Sequence, residues 1–94
     1  MPCLNNAEVI SVVRVIVETS YDPPFTDEEW DAMNTRATPC FQARNVTWIR
    51  SYVSGDRTRS VCELEAPDAE TIREAYRRAD VPFDRLWVAT LVEP

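Results

Sequence analysis

A carboxylate and several arginines set among aromatic side chains are the residues best suited to chemistry. The stretch NVTWIRSYV (45–53) alternates like a β-strand and carries Trp48, Arg50 and Tyr52 on one parity. Glu18 ends an earlier apolar run. Apolar neighbours raise the basicity of a carboxylate, and a guanidinium can stabilise an oxyanion or bind an anionic group. Glu18 and Arg50 are therefore the candidate catalytic residues.

The residue types that the chain lacks exclude many kinds of active site. It has no histidine, its 10 basic residues are all arginine, and Gly55 is its one glycine. Histidine-dependent nucleophiles, lysine Schiff bases and glycine-rich phosphate loops are therefore excluded. Cys3, Cys40 and Cys62 are widely spaced, which favours buried free thiols over a disulfide framework. No cofactor and no metal ligand are predicted.

The charge and hydropathy of the chain limit the classes of partner that it is expected to bind. A formal net charge of -6 disfavours nucleic acid and anionic membrane surfaces. No apolar run reaches the ~18 residues expected of a membrane span. The opening MPCLNNAEV lacks the basic and apolar regions of a secretory signal. A cytoplasmic location without a nucleic-acid or membrane partner is expected.

Hydrophobic periodicity divides the chain into six elements. The predicted elements, in order, are a strand at 9–18, a helix at 26–44, strands at 46–53 and 58–65, a helix at 66–80 with Asp68 as its N-cap, and a strand at 85–94. This order is that of the α+β ferredoxin-like βαββαβ fold, a four-stranded antiparallel sheet with two helices on one face. The 94 residues are expected to form one domain, with 1–8 as a flexible N-terminal segment.

The first predicted helix has a well-marked start and an unfavourable interior. Thr26 followed by Glu29 is a capping box. Trp30 and Met33 recur at helical spacing and are expected to lie in the core. Pro39 lacks an N–H donor and clashes with the preceding turn, so a kink or a break is expected there.

The turn SGDR predicts which side chains share the face of the sheet without helices, called the open face below. A loop of two or four residues places Val53 opposite Thr58 and directs Cys62 toward the helices. Tyr21 follows the first strand and is a candidate for the rim of a cavity. The predicted members of the open face are Arg14, Glu18, Trp48, Arg50, Tyr52, Arg59, Val61 and Glu63.

Three interpretations of the open face follow from this composition. It can be a solvated face with cross-strand ion pairs. It can pack on a second copy of the chain without forming a site. It can also enclose, between two copies, a pocket with aromatic walls, an arginine for a carboxylate or carbonyl group, and a carboxylate base.

The stretch VTWIRSYVSGDRTRSVCELEAPDAETIREAYRRADVPFDRL resembles the small domains of unknown function related to a nickel-binding protein of actinobacteria. The shared pattern is an aromatic strand with Ser-Tyr-Val, a short turn, Cys-x-x-Glu-Ala-Pro, and Pro-x-Asp-Arg before the last strand. The resemblance extends over 9–92. It implies a ferredoxin-like fold that forms a dimeric α/β barrel.

The resemblance also implies a metal site from which this sequence departs. Relatives are expected to carry a histidine at the position of Arg50 and often another near Ala75. Without histidine, nickel and zinc lack their usual nitrogen ligands. The metal site is therefore predicted to be lost, with nickel binding kept as an alternative.

Three further hypotheses describe what the chain does. The first is a homodimer that binds an apolar or anionic small molecule on the open face, with Arg50 at its polar end. The second is a cofactor-free isomerase, cyclase or monooxygenase with Glu18 as general base. The third is a structural dimer without a ligand. The candidate ligand-binding residues are Arg14, Trp48, Tyr52, Arg59, Glu63 and Tyr21.

Overall fold

A computed structural model describes residues 11–94 and has the predicted order of elements. The elements are β1 (Val13–Ser20), α1 (Asp27–Ala43), β2 (Thr47–Val53), β3 (Arg59–Ala66), α2 (Ala69–Ala79) and β4 (Arg85–Ala89). The predicted flexible segment at 1–8, Cys3 and the start of the predicted first strand lie outside the described residues. The predicted ferredoxin-like α+β fold is confirmed.

One antiparallel sheet with the strand order β2-β3-β1-β4 organises the molecule. Both helices lie on one side of it, where Val15, Val17, Leu64 and Ile72 are completely buried. Burying a side chain of this size contributes about 2 kcal/mol through the hydrophobic effect. β4 ends at Ala89 rather than continuing to the predicted end, because Ala89 pairs with Arg14 near the start of β1.

α1 begins at the predicted capping box. The hydroxyl of Thr26 accepts from the backbone N–H of Glu29 at 3.1 Å, and the Glu29 carboxylate accepts from the Thr26 N–H at 2.8 Å. Of the kink or break expected at Pro39, the break does not occur, since α1 continues to Ala43. Pro39 and Thr35 are both exposed, so water can satisfy the Thr35 carbonyl that the proline leaves unpaired.

The two helices differ in how deeply they are buried. α2 begins after the predicted N-cap Asp68, whose carboxylate accepts from the N–H of Thr71 at 2.7 Å. It buries four residues, Ile72, Ala75, Tyr76 and Ala79. α1 is longer but buries Ala37 alone, and its predicted core residues Trp30 and Met33 are only partly covered.

The pairing of β2 with β3 differs from the predicted register. Val53 lies opposite Ser60 instead of Thr58, so the pairing is displaced by two residues. The Ser54 N–H donates to the Arg59 carbonyl at 3.0 Å, so the loop has four residues but is formed by 55–58 instead of 54–57. The Asp56 carboxylate and the Ser54 hydroxyl hold it by both accepting from the N–H of Thr58, at 3.1 and 3.2 Å. A displacement of two keeps Arg50 and Tyr52 on the predicted face.

A β-bulge between Trp48 and Arg50 changes the face of Trp48. Arg50 lies opposite Glu63, whereas Trp48 lies opposite Leu64, which is a helix-side residue. The prediction that Trp48 belongs to the open face is therefore wrong. The extra residue, Ile49, reverses the alternation between the two halves of β2.

Candidate functional site

The open face brings together side chains from all four strands. Ile16 pairs with both Glu63 and Trp87, so these three side chains lie on one side of the sheet. Because side chains alternate along a strand, every second residue from each of them lies on the same side. The face is formed by Arg14, Ile16, Glu18, Arg50, Tyr52, Arg59, Val61, Glu63, Glu65, Arg85 and Trp87.

A buried carboxylate organises the centre of this face. Glu63 is 8% exposed and accepts from Arg14 at 2.7 Å and from Arg50 at 3.2 Å. Arg14 also donates to Glu65 at 3.2 Å. The hydrogen bonds to Glu65 and Glu63 raise the pKa of Arg14. Because each buried charge here has a partner, this cluster holds Arg14 and Arg50 in place.

Glu18 is held by β4 and not by the arginines of β1 and β2. The indole N–H of Trp87 donates to one carboxylate oxygen at 2.7 Å, and Arg85 donates to the other at 3.1 Å. The hydrogen bond from Trp87, followed by the bond and charge of Arg85, lowers the pKa of Glu18. The predicted rise in its basicity is therefore wrong, because hydrogen bonding to the charged form outweighs desolvation.

A polar recess lies at the end of the open face where β1 meets β3 and β4. It has a volume of about 300 Å³ and includes Glu18, Arg59, Asp84 and Arg85 in its lining. Arg59 makes no ion pair with any of the residues from 11 to 94. Its guanidinium is therefore available to an anion entering the recess.

The charge of the open face differs in sign from that of the whole chain. Four arginines face three glutamates there, although the chain carries a formal net charge of -6. These residues are Arg14, Arg50, Arg59 and Arg85, and Glu18, Glu63 and Glu65. The open face therefore carries one net positive charge, although at the recess itself Glu18 and Asp84 balance Arg59 and Arg85.

Two aromatic side chains stand exposed on the open face. Tyr52 is 58% exposed and Trp87 is 47% exposed. Trp87 was not among the residues predicted from the sequence. Trp87 follows Arg85 by two residues in RLWVA, so both side chains lie on the same face of β4. The pairing of β4 with β1 identifies that face as the open face.

Six of the predicted site residues share the open face, and two lie elsewhere. The six are Arg14, Glu18, Arg50, Tyr52, Arg59 and Glu63. Tyr21 lies with Trp48 on the helix side, where its hydroxyl is 3.1 Å from that of Ser60. The prediction that Tyr21 rims an open-face cavity is therefore wrong, because the parity of β1 directs it to the other side.

Cys62 faces the helices, as predicted, and is a free thiol. Burial raises the pKa of the Cys62 thiol, so this group is protonated at neutral pH. Within residues 11–94, no three histidine, cysteine, aspartate or glutamate side chains form a group that could hold a metal ion. Neither helix of this described part has the length and apolar character needed to cross a membrane.

Comparison with known proteins connects the chain to one family and one solved structure. The profile of the nickel responsive protein SCO4226-like family matches residues 15–88. The crystal structure of SCO4226 from Streptomyces coelicolor A3(2) matches with a TM-score of 0.75 and 15% identity, over 85% of this chain and 99% of that chain. At this identity the likeness concerns the fold. No curated protein matches the chain.

Proposed function

The chain belongs to the nickel responsive protein SCO4226-like family, and from this premise we propose that it is a homodimer that binds a small anionic molecule instead of nickel. The ligand would lie between the open faces of two copies. Arg59 would bind its anionic group, and an exposed aromatic side chain of either copy, Tyr52 or Trp87, would contact its apolar part.

The donor atoms of the open face do not fit nickel. The chain has no histidine, and every glutamate of this face is paired with an arginine. Cys62 is protonated and lies on the opposite side of the sheet. Imidazole nitrogen and thiolate sulfur are the usual protein ligands for such a metal, and residues 11–94 place neither at this face.

The observation that carries the proposal is Arg59 beside the polar recess. An arginine without an ion-pair partner can offer two parallel N–H groups to a carboxylate. Arg85 lines the same recess and uses one terminal nitrogen for Glu18. The second arginine can therefore add to the attraction of an anion without leaving Glu18.

Dimerisation through the open face would enclose the ligand. No described element covers Tyr52 or Trp87, which lie on one face of the sheet but on its two opposite edge strands, β2 and β4. A two-fold interface brings the same patch of each copy together, so the ligand would be enclosed between two identical faces. The Nε of Arg14 is buried without a hydrogen-bond partner among the described residues.

The hypothesis of a cofactor-free enzyme receives less support. A general base at neutral pH needs a pKa near the working pH. The pKa of Glu18 is lowered by Trp87 and Arg85, which moves it away from that range. Glu18 therefore serves better as a fixed charge that orients Arg85 than as a proton acceptor.

The experiment that tests the proposal measures binding of benzoate by calorimetry, with mass measurement by light scattering. We expect a dimer that binds benzoate, and Arg59→Gln should weaken binding about tenfold, since one charge-assisted hydrogen bond contributes on the order of 1.5 kcal/mol. Arg73→Gln is the matched control, because it removes the same charge from α2.

Several results would contradict this function. A monomer in solution would remove the enclosed site, and equal weakening by both arginine variants would reduce Arg59 to a nonspecific charge. Absence of benzoate binding in the wild type would favour a dimer without a ligand. Stoichiometric nickel in protein purified without a tag would restore the metal site.

A further inference from the structure

We propose that a groove between α1 and the β2–β3 hairpin, on the helix side of the sheet, is a second binding site for a small neutral aromatic alcohol. This site is independent of the open face and uses none of its residues. The absence of charge in its lining, its polar floor and its exposed tryptophan wall carry the proposal.

The lining of this groove is uncharged. Charged residues make up 28% of the chain, yet none of the described residues that line the groove is charged. Its walls come from aromatic and apolar side chains of both helices, of β2 and of the segment after α2, namely Trp30, Met33, Ala37, Phe41, Trp48, Tyr76 and Val81. An ion would lose its hydration here without a compensating partner, so the surroundings select a neutral ligand.

Hydroxyl and thiol groups form the floor of the groove. The indole N–H of Trp48 donates to the Ser51 hydroxyl at 2.9 Å, and this hydroxyl donates to the Cys62 sulfur at 2.9 Å. Burial raises the pKa of both Cys62 and Tyr76, so the floor stays neutral at neutral pH. A hydroxyl oxygen has two lone pairs, and Ser51 has used one, so it can accept from a ligand alcohol.

The bulge in β2 supplies the wall of the groove. By turning Trp48 from the open face to the helix side, the extra residue Ile49 sets an indole at the mouth of the groove, where it is 46% exposed. Bulges commonly redirect side chains next to functional sites. The exposed ring offers a surface on which an aromatic ligand can stack.

The size of the groove limits what can enter it. The space inside the groove is about 40 Å³. This is enough for about three water-sized groups, so a hydroxymethyl group fits but a whole ring does not. The ring of the ligand would therefore remain at the mouth against Trp48, with its hydroxyl directed toward Ser51. For a ligand as small as benzyl alcohol, a Kd on the order of 1 mM is expected.

Methyl NMR of Met33 tests this site directly. The chain has two methionines, and Met33 lines the groove, so ¹³C-methyl labelling gives a local reporter. We expect benzyl alcohol to shift the Met33 methyl resonance saturably, and benzoate at equal concentration to shift it at least fivefold less.

Two tryptophans provide a matched pair of variants for the same titration. Trp48 and Trp87 are 46% and 47% exposed but lie on opposite sides of the sheet. Trp48→Leu should weaken benzyl alcohol binding about fivefold, since an aromatic pair contributes on the order of 1 kcal/mol. Trp87→Leu should leave the Kd at this site within twofold of the wild type.

The proposal is overturned by a linear, unsaturable Met33 shift, by equal shifts with benzoate, or by Trp48→Leu binding as tightly as the wild type. Ser51→Ala gives a second variant that conserves the fold by removing one partly buried hydroxyl. This variant should also weaken the binding of benzyl alcohol at least threefold, and an unchanged affinity would contradict the proposed hydrogen bond. Circular dichroism checks that each variant is folded.

Discussion

The two faces of β3 are stabilised by different physical forces although they alternate along one strand. Leu64 faces the helices and is completely buried in the core with Val15 and Ile72. Its neighbour Glu63 faces the other way and is almost as buried, but by Arg14 and Arg50. Apolar burial stabilises the fold, whereas the attraction within a buried charge pair is largely cancelled by the cost of desolvating the two charges. The helix side therefore supplies stability, and the open face remains available for recognition.

The largest expected effect comes from the apolar side of β3. Leu64→Ala should lower the free energy of unfolding by about 3 kcal/mol, because it removes buried methyl groups and leaves a cavity. Val61→Ala on the open face is the matched control and should lower it by less than about 1 kcal/mol, since that residue is only partly buried. Urea unfolding measures both, and equal losses would contradict the division between the faces.

An intermediate effect is expected at the centre of the open face. Glu63→Gln should reduce the free energy of unfolding by about 1 to 2 kcal/mol, because Arg14 and Arg50 lose their shared charged partner. Glu65→Gln should have a smaller effect, since the Glu65 side chain is more exposed than that of Glu63. The same unfolding measurement checks this order, and the reverse order would show that Glu63 does not organise the face.

The smallest expected effect is a change in acid sensitivity. Because the folded-state pKa of Glu18 lies below its ordinary value of 4.5, its stabilising contribution is present above that pH and is lost as the pH falls through the folded value. Trp87→Phe removes the main hydrogen bond and should raise the pKa of Glu18 toward 4.5. Carboxyl NMR titration measures the change.

A helix-side variant sharpens this comparison. Trp30→Phe alters a tryptophan that makes no hydrogen bond to Glu18 and should leave the pKa of Glu18 unchanged. If Trp87→Phe also leaves that pKa unchanged, the hydrogen bond from Trp87 does not control the charge of Glu18, and the fixed-charge role assigned to Glu18 fails.

Much of the fold could be predicted because its determinants are local. The capping box at Thr26 and Glu29 and the N-cap Asp68 act over three residues, and the structure has both. The placement of Arg50 and Tyr52 on the open face follows from period-two alternation, which a register displacement of two residues leaves intact. The sequence therefore predicted the architecture and most of the open face.

Trp48 and Trp87 show where this local reasoning ends. The sequence NVTWIRSYV alternates without interruption, so nothing in it marks the bulge at Ile49. The placement of Trp87 beside Glu18 needs the pairing of two strands that are far apart in the chain. Neither the bulge nor the pairing of these strands leaves a pattern among adjacent residues from which it could be predicted.

The sequence by itself determined the element order, the helix starts, the absence of histidine chemistry and the arginine-rich character of one strand parity. Only the tertiary structure decided the hairpin register, the reversal of Trp48 and the pairing of Glu18 with Arg85 and Trp87. The physical reason is range. Caps and alternation depend on residues a few positions apart, whereas register and bulges depend on how a whole sheet closes over its core.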